Sequence, residues 1–111
     1  ALDAVARARP EAPCLIRPDA GDWRYADLFD RSARMAGVLR GWGVGAGNRV
    51  LVQVEKSADA VALYLACLRT GAVFVPLNTA YTSGEVAYFA ADSAPALIVC
   101  RQADRDDRVR I

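Results

Sequence analysis

An α/β domain with a mainly parallel sheet in three layers, Rossmann-like in shape and led by an N-terminal hairpin, is the fold class this sequence predicts. Three observations predict it. Val50-Leu51-Val52-Gln53-Val54, Ala72-Val73-Phe74-Val75 and Ala96-Leu97-Ile98-Val99-Cys100 are short apolar runs of the kind found in strands covered on both faces. Helical stretches separate them, so strand and helix alternate through short links. A helix that stops at Gly71 and leads straight into an apolar run is the second half of a βαβ crossover, which is right-handed.

Taken in order, residues 2–9 can form a short helix ended by Pro10, but so short a piece holds only when docked, and 1–12 is read as a poorly packed segment. Cys14-Leu15-Ile16-Arg17 and Asp22-Trp23-Arg24-Tyr25 flank the turn formers Pro18-Asp19-Ala20-Gly21, which makes a hairpin whose edge can pair with the main sheet. From 26 to 42, Leu28, Met35, Leu39 and Trp42 recur at helical spacing, with Asp27 and Asp30 near the start and Arg40 near the end, as the helix dipole favours. Gly41, Gly43, Gly45 and Gly47 resemble a phosphate loop only in composition. A dinucleotide fingerprint needs a strand before the glycines and a helix after them; here the order is reversed, so they end a helix and turn the chain into a strand.

The next helix, 58–70, is apolar nearly all round: Val61, Ala62, Leu63, Leu65, Ala66 and Leu68 leave no broad polar face, which predicts cover on most sides. Ser57 suits its N-cap and Gly71 its left-handed C-cap. The run at 72–75 then reads as an inner strand, buried on both faces and stopped by Pro76. Thr82 with Glu85 forms a capping box for a helix through Val86, Phe89 and Ala90, which explains Thr82-Ser83-Gly84 better than a nucleotide loop, because Glu85 is an anion and no Lys follows. Ser93-Ala94-Pro95 ends that helix and 96–100 reads as a third buried strand. The charged end, 101–111, is a solvated loop or the start of a truncated helix.

With 111 residues, 54% of them hydrophobic, the chain reads as one domain over 1–111 with its own core. A net charge of +1, with acids and bases interspersed, gives no basic stripe and argues against a nucleic-acid partner. Cys14, Cys67 and Cys100 are odd in number and lie in apolar surroundings, which fits reduced, buried thiols and a cytoplasmic setting. No run reaches the ~18 apolar residues of a membrane span, and no charged-then-apolar leader opens the chain. A start without Met and an uncapped end at Ile111 read as cuts.

His is absent, so Ser-His and Cys-His relays and His-ligated metals are excluded within this chain. The carboxylates are not clustered, and neither a catalytic residue nor a metal ligand is assigned. Lys56, the only lysine, follows the first inner strand, and Asn78 follows the second. Both lie at the rim where a parallel sheet presents its ligand loops, which makes them candidate substrate-binding residues. Lys56 is then a phosphate or carboxylate contact, against the plainer reading of a solvated rim lysine. Tyr25, Tyr64, Tyr81, Tyr88, Trp23 and Trp42 read as core or subdomain packing rather than substrate stacking.

The residues themselves resemble a family. Tyr25-Ala-Asp-Leu28, Gly43-Val-Gly-Ala-Gly-Asn-Arg-Val50 and above all Tyr64-Leu-Ala-Cys-Leu-Arg-Thr-Gly-Ala-Val-Phe-Val-Pro-Leu-Asn78 resemble the opening of the adenylate-forming, AMP-binding enzymes, which include acyl-CoA synthetases, luciferases and peptide-synthetase adenylation domains. Glu55-Lys-Ser57, Pro76-Leu-Asn-Thr-Ala-Tyr-Thr82 and Glu85-Val-Ala-Tyr-Phe89 look most like the malonyl-CoA synthetase branch. The likeness runs from about Pro10 to Cys100. Asn48 departs from it, standing where the family usually has Asp; a charge is lost, but Asn also suits turns.

The resemblance implies a partial N-terminal subdomain of a two-step, cytoplasmic ligase of fatty acid metabolism. Such enzymes use Mg²⁺ and ATP to turn a carboxylate into an acyl-adenylate, releasing pyrophosphate, and then let the CoA thiol displace AMP to give a thioester. The family's phosphate loop, adenine and Mg²⁺ segments, hinge and C-terminal lysine have no counterpart between Ala1 and Ile111, so this chain alone is expected to be inactive. Its partners are then the carboxylate, ATP and CoA of the parent enzyme and the rest of the ligase chain, with self-association through an exposed apolar face as a further expectation. Other readings are a stand-alone Rossmann-like module that binds nucleotide near Lys56 and Asn78, an interaction domain, and the start of a peptide-synthetase adenylation domain.

Overall fold

The computed structural model describes residues 13–15 and 23–108. The short helix read at 2–9, the poorly packed segment 1–12 and the side chain of Cys14 lie outside the described residues.

Strand β1 (Pro13–Leu15) pairs antiparallel with β2 (Trp23–Arg24), as the turn-rich connection predicts. Among the described residues this hairpin is a two-stranded sheet of its own, and the pairing expected with the main sheet is not made. The physical reason lies at Arg24: its N–H already donates to Asp27 Oδ2 at 2.8 Å, which starts helix α1 (Tyr25–Gly41) immediately after a strand of two residues.

The main sheet contains β3 (Arg49–Gln53), β4 (Val73–Pro76) and β5 (Leu97–Cys100), in the order β4-β3-β5, and both pairings are parallel. Val50 stands opposite Phe74 on one side and Leu97 on the other. Side chains alternate along a strand, so β3 feeds two layers. Val50 and Val52 join Ala36 and Leu39 of α1 and Ala66 and Cys67 of α2 (Ala58–Thr70) in one core cluster. Leu51 and Gln53 point to the opposite face, that of α3 (Ser83–Ser93) and the one-turn helix α4 (Arg105–Arg108), which follows a 3-10 turn at Gln102–Asp104.

The ends of the helices behave as their residues require. Ser57 Oγ accepts from Ala60 N at 3.0 Å at the start of α2, and Gly71 closes that helix at φ 77°. Thr82 Oγ1 accepts from Glu85 N at 3.3 Å, while Glu85 Oε1 accepts from Thr82 N at 3.2 Å, so the capping box of α3 is formed. In the glycine-rich link, Gly43 and Gly47 take positive φ, and Asn48 Oδ1 accepts from Gly45 N at 2.8 Å. The turn thus forms with Asn48 in place.

Three expectations about burial are corrected. Helix α2 is covered on one face only: Ala62, Ala66 and Cys67 are buried, but Tyr64 is 45% and Leu68 58% exposed. The strand at 73–76 is not an inner strand buried on both faces but an edge strand, with Val73 46% exposed, and Pro76 is its last residue rather than a stop beyond it. Strand β5 is half-buried throughout and is the opposite edge. An apolar run measures how apolar a strand is, not how many neighbours it has, and among the described residues only β3 has two. Trp42 and Tyr88 are exposed, Tyr88 standing edge-on to Phe89 with ring centroids 5.9 Å apart, and Cys100 is half-buried. Among the described residues no helix is long and apolar enough to cross a membrane.

Candidate functional site

In an open parallel sheet, the crevice forms at the carboxyl ends of adjacent strands whose following helices leave on opposite faces. Here those strands are β3 and β4, since α2 covers one face and α3 the other. The loops Val54–Ser57 and Leu77–Thr82 meet there around a groove of about 590 Å³, walled by Val54, Phe74 and Leu77 and edged by Lys56, Asn78 and Thr79. The sequence-predicted pair Lys56 and Asn78 therefore stand on one groove.

Their surroundings differ. Lys56 is exposed, and among the described residues it makes no hydrogen bond or ion pair. Asn78 is engaged in its own turn: Oδ1 accepts from Ala80 N at 2.8 Å, and its carbonyl accepts from Tyr81 N at 3.1 Å.

Two arginines that sequence reasoning left in a solvated charge run build this rim. Arg101, just past β5, donates from Nε to Asp104 Oδ2 at 2.7 Å, from Nη1 to Glu55 Oε1 at 3.1 Å and from Nη2 to the Thr79 carbonyl at 3.2 Å. One guanidinium thus ties together the loops after β3, β4 and β5. The hydrogen bond to Asp104 is the main cause of its raised pKa, and partial desolvation opposes it.

Arg108 goes deeper. It is 7% exposed, and its Nε and Nη2 donate to Gln53 Oε1 at 3.0 and 2.7 Å, while Nη1 donates to Ser83 Oγ at 2.7 Å. Gln53, fully buried, turns its Nε2 to the carbonyls of Asn78 at 3.1 Å and Tyr81 at 2.9 Å. The network joins the end of β3, the rim loop, the first turn of α3 and α4. The one sign of it in the sequence was an amide inside an otherwise apolar strand; nothing set Arg108 apart from its charged neighbours.

Mg²⁺ needs converging oxygen ligands. Among the described residues no three His, Cys, Asp or Glu side chains converge, so they supply no such site. Cys67 is a free, buried thiol whose pKa burial pushes up, which leaves it protonated and unreactive. Among the described residues, the groups at this rim bind and hold its loops together.

The chain as a whole superposes closely on solved structures. ATP-bound MatB from Rhodopseudomonas palustris superposes with a TM-score of 0.86 at 37% identity, over 98% of this chain and 23% of that one. The fold is therefore that of the adenylate-forming ligases. The family profile described as AMP-binding enzyme matches residues 2–110, and the chain belongs to that family. Sequence relatives include a hybrid PKS-NRPS synthetase, BuaA, of Petromyces alliaceus, 34% identical over 93% of this chain and 3% of its own length. Acetyl-coenzyme A synthetase 2 of Candida albicans is 32% identical over 96% of this chain and 17% of its own length. The chain thus spans less than a quarter of each of these three proteins. Acyl-CoA ligases and peptide synthetases both stand among its relatives.

Proposed function

We propose that this chain is the sheet scaffold of an AMP-forming acyl-CoA synthetase that activates malonate in the cytoplasm. A carboxylate oxygen of the acid attacks the α-phosphorus of ATP, the bond to pyrophosphate breaks, and an acyl-adenylate forms. The sulfur of CoA then attacks the acyl carbon, AMP leaves, and the thiol proton passes to solvent. A carboxylate is a poor electrophile, and adenylation supplies it with a good leaving group. In this reading the rim holds its loops in place while Lys56 meets an anionic group of a substrate from the edge of the groove.

The observation that carries the reading is the 37% identity with MatB across 98% of the chain, together with the motifs at 55–57, 76–82 and 85–89. A second reading, an adenylation domain of a peptide synthetase, is favoured by the 34% identity with the PKS-NRPS hybrid. Pyrophosphate exchange into ATP, measured on the full-length protein with malonate, other short acids and amino acids, separates the two. Malonate-dependent exchange followed by CoA thioester is the expected result. Exchange driven by an amino acid and indifferent to CoA would establish the second reading, and exchange with no acid would sink both. Lys56→Met is expected to raise the KM of one anionic substrate about tenfold, in line with the loss of one charge-assisted contact; unchanged KM values for the acid, ATP and CoA would leave Lys56 a solvated lysine.

A further inference from the structure

We propose that Arg101 is a positioning residue for the groove between β3 and β4: by holding Glu55, it keeps the neighbouring Lys56 ammonium free to meet a carboxylate or phosphate group of a substrate. The proposal deepens the ligase reading and rests on it for that anion. It starts from the charges around Lys56. Two exposed acids flank this lysine in the chain, Glu55 beside it and Asp59 in the first turn of α2. A lysine carries its charge on a flexible four-carbon stem and is able to fold back on such neighbours. Among the described residues it does not, because each acid is engaged by an arginine. Arg101 Nη1 donates to Glu55 Oε1 at 3.1 Å, and Arg31 Nη1 lies 3.6 Å from Asp59 Oδ1.

Exposed ion pairs are ordinarily weak, since two long side chains must be ordered to make one. Arg101 is ordered without Glu55. Its Nε donates to Asp104 Oδ2 at 2.7 Å, and its Nη2 to the Thr79 carbonyl at 3.2 Å. The guanidinium is thus fixed at two points before Glu55 reaches it, and only the carboxylate side chain remains to be ordered. A planar fork meets three partners in three directions; a lysine at 101 offers a single point of charge. The contact with Thr79 adds to the effect, because Thr79 and Asn78 form the edge of the groove opposite Lys56. One side chain therefore draws Glu55 away from Lys56 and braces the facing edge.

Without Arg101, Glu55 is left beside Lys56 with no other cation to hold it, and an anionic ligand must displace it to reach the ammonium. This predicts a loss that a second substitution cures: removing the carboxylate as well as the arginine frees the lysine again. A clamp that acted only by tying loops together would behave otherwise, since Glu55→Gln would weaken it further.

Acetylation of Lys56 in the full-length protein by limiting acetic anhydride, followed by mass spectrometry of the Lys56 peptide, tests the proposal with no substrate present. Acylation needs the free amine, and a carboxylate close by favours the ammonium. Arg101→Met is expected to slow Lys56 about threefold, the effect of one exposed ion pair, and addition of Glu55→Gln to restore the original rate. Arg101→Met with Asp104→Asn restores the same net charge from the Nε side of the guanidinium and is expected to stay slow. An unchanged rate in Arg101→Met, or no recovery with Glu55→Gln, would overturn the proposal. Equal recovery with Asp104→Asn would reduce it to a general effect of charge, and would overturn it too. Kinetics carry the test to function: the KM that Lys56→Met raises is expected to rise about threefold in Arg101→Met at constant kcat, and to fall back with Glu55→Gln. The KM values for acid, ATP and CoA tell which substrate bears the anion, and a KM sensitive to Lys56 but indifferent to Arg101 would overturn the proposal. If Lys56→Met leaves all three unchanged while the acetylation rates follow the expected pattern, the substrate contact of the ligase reading falls and the hold of Arg101 on Glu55 stands.

Discussion

Replacing Gln53 with leucine strands a buried guanidinium. The variant removes both acceptor contacts of Arg108 and the donor to the Asn78 and Tyr81 carbonyls, and is expected to lower stability by about 3 kcal/mol, read from the urea midpoint. Adding Arg108→Met should recover part of that loss, because the uncompensated charge goes with it; a strictly additive double variant would show that the two side chains do not depend on each other. Cys67 gives a pH dependence. Its raised pKa means that its contribution to stability is complete below the ordinary thiol value of the unfolded chain and is lost as pH rises through the higher folded value. Alkylation followed by mass spectrometry should accordingly find Cys67 far slower to react than Cys100, which is half-buried. Residues that act locally, such as Ser57, Gly71, Thr82 and Glu85, could be read from the chain because each needs only neighbours within a turn. Arg101 and Arg108 could not, since their partners lie up to 55 positions away.

At the scale of elements, the sharpest contrast is between two glycines with the same backbone. Gly71 and Gly43 lie at φ 77° and 82°, but a Cβ on Gly71 would meet Ala46 Cα at 3.2 Å, whereas one on Gly43 meets nothing within 4 Å. Gly43→Ala is expected to cost about 1 kcal/mol for the left-handed backbone alone, and Gly71→Ala clearly more, in the same unfolding experiment. Thr82→Ala, which removes one arm of the α3 capping box, should cost about 1 kcal/mol. Helices α1 to α3 and strands β3 to β5 lie within a few positions of where the sequence reading puts them, while α4 lies in the charged run read as a loop or the start of a truncated helix. What spacing could not convey was sheet order. The helix at 58–70 and the strand at 73–76 look submerged because their residues are apolar, yet each is open on one side. Pro76 was the available sign, because a proline within a strand favours an edge.

For the molecule as a whole, the same openness has a functional sense. Tyr64 and Leu68 on α2, Val73 on β4 and Trp42 beyond α1 are exposed, and apolar surface of this kind ordinarily marks contact with something else. The chain spans 23% of MatB, so in a protein of that length most of the remaining polypeptide is available to cover it. The isolated 111 residues, assayed with ATP, CoA and malonate, are expected to give no turnover; any thioester formed would mean that this scaffold carries catalytic groups of its own.

The missing N–H of Pro76 also limits what misassembly can do. A sheet that can grow from both flanks propagates into fibrils, but one closed on a flank can recruit a single neighbour through the other and then has nothing left to offer. Concentrated samples of the bare domain should therefore stop at dimers in the ultracentrifuge and fail to light up an amyloid dye.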